Sequence, residues 1–240
     1  MIVRAAVVPH PPLLVPELVV AEVPEVLAVR RSCVAAARAL ARASRRWIAV
    51  ATGSGEVGPG AAGTFGGYGV PVRVALAQGT DSHVDPELPL AALVAGWLRE
   101  QAGALSVSVH LVSAGATARE CLAFGARIAT ESTSPVGLLV LGDGSNRHGD
   151  RAPGRPDERA PGFDQAVHEA LKNADAEALL ALDADLAGQL GAEGRAAWQV
   201  LAGATAGQQW HTTMSELLVP FGVAYHVAVW ESTVWDPDPS

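Results

Sequence analysis

The sequence predicts a single α/β domain, with a central sheet, mostly parallel or mixed, held between two layers of helices. Three observations carry this expectation. Short apolar runs of strand length alternate with longer segments whose apolar residues recur at helical spacing, the pattern of a largely parallel sheet. The chain has 240 residues, one domain's worth, and shows no internal repeat. Its composition, 49% hydrophobic and 18% charged, is that of a folded chain with a large core rather than a disordered one.

The elements follow in order. Residues 2–8 form a short apolar strand stopped by Pro9. Residues 24–43 form a helix: Pro24 suits the first helical position, and Val26, Val29, Cys33, Ala37 and Leu40 repeat along one face. "WIAVA" (47–51) is a second buried strand, followed by a glycine-rich loop from Thr52 to residue 69, and "VRVAL" (72–76) is a third. A helix over 88–101 places Leu90, Leu93, Val94, Trp97 and Leu98 on one side, and "LSVSVHLV" (105–112) alternates as a strand does. In "TARECLAFGARIA", Thr117 and Glu120 make a capping box, each side chain able to serve an amide at the helix start. "VGLLVLGDG" is a buried strand ending near Gly142. The polar stretch 143–161 is expected as a flexible loop and lid, helices are expected from Gly162 to about Leu218, 223–230 is a last strand, and the tail 235–240 is expected to fray.

Charge and cysteine content narrow the function. The net charge is −8 without a basic stripe, which argues against a nucleic-acid partner. Cys33 and Cys121 lack metal spacing and suggest a reducing, cytoplasmic setting. Pro9, Pro11 and Pro12 interrupt any signal-peptide core, and no apolar run reaches the ~20 residues of a membrane span.

Gly53, Gly55 and Gly58 spell G-x-G-x-x-G after a strand. A dinucleotide site needs a helix to open there, whereas Pro59 and five more glycines follow, so nucleotide binding is the least favoured reading. Of seven histidines, His110, His168 and His226 fall inside regular elements and read as structural, while His10, His83, His148 and His211 fall at element ends or in loops. No H-x-x-x-H or C-x-x-C pair exists, so any metal site must be assembled from distant segments. His10, between Pro9 and Pro11 at a strand end, is either a turn residue or a rigidly held ligand or base; both readings stand on the residues alone.

"VVPHPPLLVPEL" (7–18), "SHVDPELPL" (82–90), "LGDGSNRHG" (141–149) and "GVAYHVAVW" (222–230) together resemble the class III extradiol ring-cleavage dioxygenases, in particular the catalytic B-subunit (LigB-like) superfamily. The resemblance implies one three-layer α/β domain, Fe(II) held by two histidines and a glutamate, and a small aromatic, catechol-type substrate cleaved with O2. A homodimer and the absence of any membrane partner are further expectations. By this resemblance His10 matches the first iron histidine and His83 a proton-transfer histidine. The acid/base histidine falls on Asn146, with His148 two residues on. Where the second iron histidine belongs, Thr52 to Glu56 contain none, and Glu56 is the replacement ligand at hand. The carboxylate position, expected at the start of a late helix, falls on Gln208 and Gln209, with Glu216 further on. Two readings follow: a dioxygenase with a rewired iron shell, or a metal-free homologue, similar to the Memo family, that binds a small molecule or a protein in the same cleft.

Overall fold

A computed structural model describes residues 1–19, 23–131 and 134–234 of the chain; the expected frayed tail lies outside them. The elements are β1 (Ile2–Val8), α1 (Pro24–Ala43), β2 (Arg46–Thr52), β3 (Gly55–Val57), β4 (Ala62–Thr64), β5 (Arg73–Ala75), β6 (Val84–Asp85), α2 (Leu90–Ala102), β7 (Ser106–Val112), α3 (Ala118–Glu131), β8 (Val136–Leu141), α4 (Ala160–Lys172), α5 (Ala176–Leu180), α6 (Ala184–Leu190), α7 (Arg195–Thr205), β9 (Trp210–Leu218) and β10 (Tyr225–Ser232). The main sheet has the order β3-β7-β2-β8-β1-β10-β9, and β5-β4-β6 make a small second sheet. The four central strands β7, β2, β8 and β1 run parallel, while β3 at one edge and the β10–β9 hairpin at the other run antiparallel to their neighbours.

The parallel strands are apolar throughout because both of their faces are covered. In β1, Ala6 and Val8 enter the core under α1 and α2, whereas Ile2, Ala5 and Val7 enter the core under α3, α4 and α7. β8 divides its residues the same way, Leu139 and Leu141 to one side, Leu138 and Val140 to the other. α7 is buried along its whole length, which its alanines and glycine allow. It lies close against α3, where the glycines Gly125 and Gly203 face the partner's backbone. The Thr117–Glu120 box closes as expected: Thr117 N–H donates to Glu120 Oε2 at 2.7 Å and Glu120 N–H to Thr117 Oγ1 at 3.2 Å.

Three expectations are corrected. The segment after Thr52 is not a bare loop: it returns as β3 against β7, carries β4, and turns at Gly55 with a φ of +94° that glycine tolerates. As expected, no α-helix opens behind the glycine motif, so it lacks the N-terminal amides a pyrophosphate needs. Residues 210–218 are not helical but form β9, an edge strand; the alternation of Trp210, Thr212 and Met214 with His211, Thr213 and Ser215 has the period of two that a strand shows.

The stretch between β8 and α4, expected as a flexible lid, is instead tied down along its length. Gly144 N–H donates to Ala224 O, Asn146 N–H to Leu190 O, His148 N–H to Gly222 O and Asp157 N–H to Arg147 O. Its first half therefore belongs to the wall formed by the β9–β10 turn and the end of α6.

Candidate active site

The carboxyl ends of parallel strands are where open α/β sheets collect their ligands. Here β1 and β8 are neighbours in register, Val8 opposite Leu141, so the residues two beyond each strand end, His10 and Asp143, come side by side. Asp143 Oδ1 accepts the His10 backbone N–H at 2.8 Å, and His10 Nδ1 lies 3.4 Å from the same oxygen. The backbone amide holds the better-aligned place, so the imidazole is an ion-pair neighbour of the carboxylate rather than its hydrogen-bond donor. The prolines around His10 hold the backbone that makes this contact.

His10 is 8% exposed. Burial works against its charged form, but the charge of Asp143 at close range, with that of Glu193 beyond, outweighs burial, and the pKa is raised above 6.5. On the α1 side of the same carboxylate sit Cys33 and Tyr225. Burial pushes both up, and the Asp143 charge adds to the effect. Neither is a ready anion or nucleophile at neutral pH.

A raised folded-state pKa makes the protonated imidazole a stabilising group. That contribution is complete below the unfolded value, near 6.5, and disappears as pH rises through the folded value. In metal-free protein we expect the His10 ring resonance in proton NMR to titrate above 6.5, and in Asp143→Asn to titrate below it, since burial then outweighs the remaining charge of Glu193. An unchanged midpoint in the variant would remove Asp143 as the cause.

A second carboxylate–imidazole group lies on the opposite face of the sheet. Asp164, in α4, is fully buried and sits between His148 Nε2, 2.6 Å from Oδ2, and His226 Nε2, 2.9 Å from Oδ1. The Ser145 N–H donates to it as well, at 3.2 Å. His226 is enclosed completely, with Trp198 edge-on at 5.3 Å between centroids, while His148 keeps some contact with solvent. The arrangement holds the ring of His148 by one nitrogen and leaves the other available, the usual way a carboxylate orients an acid/base histidine.

The other sequence candidates separate. Glu56 lies on β3, mostly exposed, 3.7 Å from His110. Three strands, β7, β2 and β8, stand between β3 and β1, which at the usual spacing is ~19 Å, so Glu56 does not complete a shell with His10. Gln208 and Gln209 precede β9, whose first residues pair with Ser232 and Glu231 opposite the beginning of β1. They stand at the other end of the sheet from His10, ~20 Å away by strand rise. Glu216 is closer, level with Val8 two strands over, but its Oε2 accepts from Ser32 Oγ at 2.6 Å. His83 is exposed in the loop before β6. Asn146 packs its amide against Gly191 and Gly154, a wall position. Among the described residues no three His, Cys, Asp or Glu side chains are grouped to hold a metal ion.

Asp164 and His226 escaped the sequence reading. The signal for Asp164 was a carboxylate inside the buried stripe of Phe163, Val167 and Leu171, a placement that demands partners. His226 gave no sign, because an imidazole in an apolar strand is most often packing.

A cavity of about 350 Å³ opens between the end of β2, the loop after β7 and α6–α7; His10 and Asp143 are not among its lining residues. Thr52, Ala114, Gly191, Glu193 and Arg195 are among its lining. Thr52 Oγ1 donates to Glu193 O at 2.6 Å and Gly194 N–H to Asp143 O at 2.9 Å, so the start of α7 is tied both to β2 and to the His10–Asp143 pair. Among the described residues no helix is long and apolar enough to cross a membrane.

No family model and no curated protein matches the chain. Among solved structures it is similar to the uncharacterized protein JW3007 from Escherichia coli K12, with a TM-score of 0.51 and 14% sequence identity over 95% of this chain and 99% of that one. A likeness at that identity shows a shared α/β fold.

Proposed function

We propose that this is a class III extradiol dioxygenase-like protein whose strand-end cleft binds a small organic molecule without an iron centre of the two-histidine, one-carboxylate type. His10, backed by Asp143, exchanges protons with that molecule. The observation that carries the reading is the pair itself: an imidazole and a carboxylate at the carboxyl ends of adjacent parallel strands, where open α/β sheets collect their ligands. The residues present do not suit the iron of the resembling family. His10 and Asp143 supply one imidazole and one carboxylate, and no third donor of the right kind is grouped with them among the described residues. His148, oriented by Asp164, is a second proton-handling group and stands on the same loop as Asp143.

Anaerobic Fe(II) loading, desalting and metal analysis tests the reading, on wild type and His10→Ala. Iron far below one per chain in both is expected, together with a His10 ring resonance that moves when catechol is added. One iron per chain, lost in the variant, would restore the ring-cleaving reading with a rewired shell. A His10 resonance indifferent to catechol and to other small phenols and organic acids would remove the ligand role.

A further inference from the structure

Arg195 opens α7 and is 4% exposed, yet it forms no ion pair among the described residues. Its Nη1 donates to Ala116 O at 2.6 Å and to Gln199 Oε1 at 2.9 Å, and its Nη2 to Ala114 O. A guanidinium has five N–H donors. These bonds leave Nε–H and one Nη2 hydrogen without an acceptor among the described residues, and Arg195 is one of the residues that line the cavity between α6, α7 and the ends of β2 and β7. A buried cation served only by neutral oxygens is expensive unless a counter-charge arrives.

Its position adds to that need. Arg195 is the first residue of an 11-residue helix with no side chain capping its N-terminus. The first-turn amides and the helix dipole carry positive potential, so a cation there is disfavoured and an anion is favoured. Ala196, next along the first turn, also lines the cavity. The remaining walls are small and apolar, with Ala114, Ala184, Ala187 and Ala192 among them. Glu193 is the acidic residue among the lining residues; it repels a bare anion but accepts from a hydroxyl or ammonium.

We infer that this cavity is an oxyanion subsite, in which Arg195 and the first turn of α7 hold the carboxylate or phosphate of a small molecule with an apolar body. The inference deepens the reading above, since it takes the strand-end cleft as a ligand site, but it stands on residues other than His10 and Asp143. The favoured ligand is a small organic acid that also carries a donor for Glu193.

The test is calorimetric titration of the full chain with benzoate, phenyl phosphate and the neutral benzamide. Two variants accompany wild type. Arg195→Gln removes the charge, with a thermal melt to confirm folding. Gly188→Leu fills the cavity from α6, at a position where an added Cβ meets nothing within 4 Å. One of the two anions is expected to bind about tenfold or more tighter than benzamide, with that advantage lost in Arg195→Gln and binding blocked in Gly188→Leu. Benzoate as the tighter ligand names a carboxylate, phenyl phosphate a phosphoryl group. Equal binding of anion and amide, no binding of any of the three, or anion binding that survives both variants would overturn the inference. His10→Gln separates the two proposals: anion binding that persists there, with no ligand effect at His10, leaves the subsite standing and removes the proton-transfer reading.

Discussion

Asp164→Ala is expected to lower the unfolding free energy by about 3 kcal/mol or more, the largest loss of any single side chain near the site. The carboxylate is fully buried and is the shared partner of His148, His226 and the Ser145 amide. Its removal strands two ring nitrogens and an N–H where water has little access, and each orphaned polar group carries its own desolvation penalty. His226 suffers most, since it is wholly enclosed and its Nδ1 already lacks a partner among the described residues. Urea denaturation followed by tryptophan fluorescence measures the loss. Asp164→Asn should retain part of the network and lose less. A midpoint for Asp164→Ala within ~0.5 kcal/mol of wild type, the range of an ordinary surface change, would show that the group contributes little to the fold.

Gly125→Ala is the second large effect, and its sign is the informative part. In a free helix this change stabilises by ~1 kcal/mol. Here the new Cβ would stand 2.1 Å from Val200 O and 2.5 Å from Ala204 N, both backbone atoms of α7 that cannot rotate aside. The helices must move apart, and we expect a net loss of about 2–3 kcal/mol. Gly203→Ala meets Leu122 O at 2.3 Å in the reverse direction. The double variant should lose less than the sum, because one separation relieves both contacts. Gly162→Ala in α4, where an added Cβ meets nothing within 4 Å, is the control and should be neutral or stabilising. If Gly125→Ala matched that control, the close approach of α3 and α7 would be wrong. Because α7 also presents Arg195 to the cavity, separating it from α3 should weaken binding of an anion there.

Regular elements were the most legible part of the chain. β1, α1, β2, α3 and β8 each declare themselves by a local rule: an apolar run cut by proline, a helical stripe behind Pro24, a capping box at Thr117. β9 was misread because its nine residues are only half-buried at a sheet edge, where a period of two with polar residues on both faces is a weak signal. The resemblance placed the carboxylate at the start of a late helix around Gln208 and Gln209, and no helix begins there. Once residues 210–218 are a strand, Gln208 and Gln209 fall at the far end of the sheet from His10.

His10 was legible as a residue held at a strand end, because proline spacing and the end of an apolar run are local facts. Its partner was not. Asp143 stands 133 positions away and meets His10 only because β8 inserts between β2 and β1 in matching register. The same is true of Asp164 with His226, and of Arg195 with the loop after β7. By itself the sequence determined the α/β class and most of the elements, and it pointed to His10 and His148 as candidates, since these depend on propensity, periodicity and position along neighbouring residues. The tertiary structure alone decided which charges meet, which are left without a counter-charge, and that Glu56 stands across the sheet from His10. Those outcomes depend on strand order and register, which join residues that no local pattern connects.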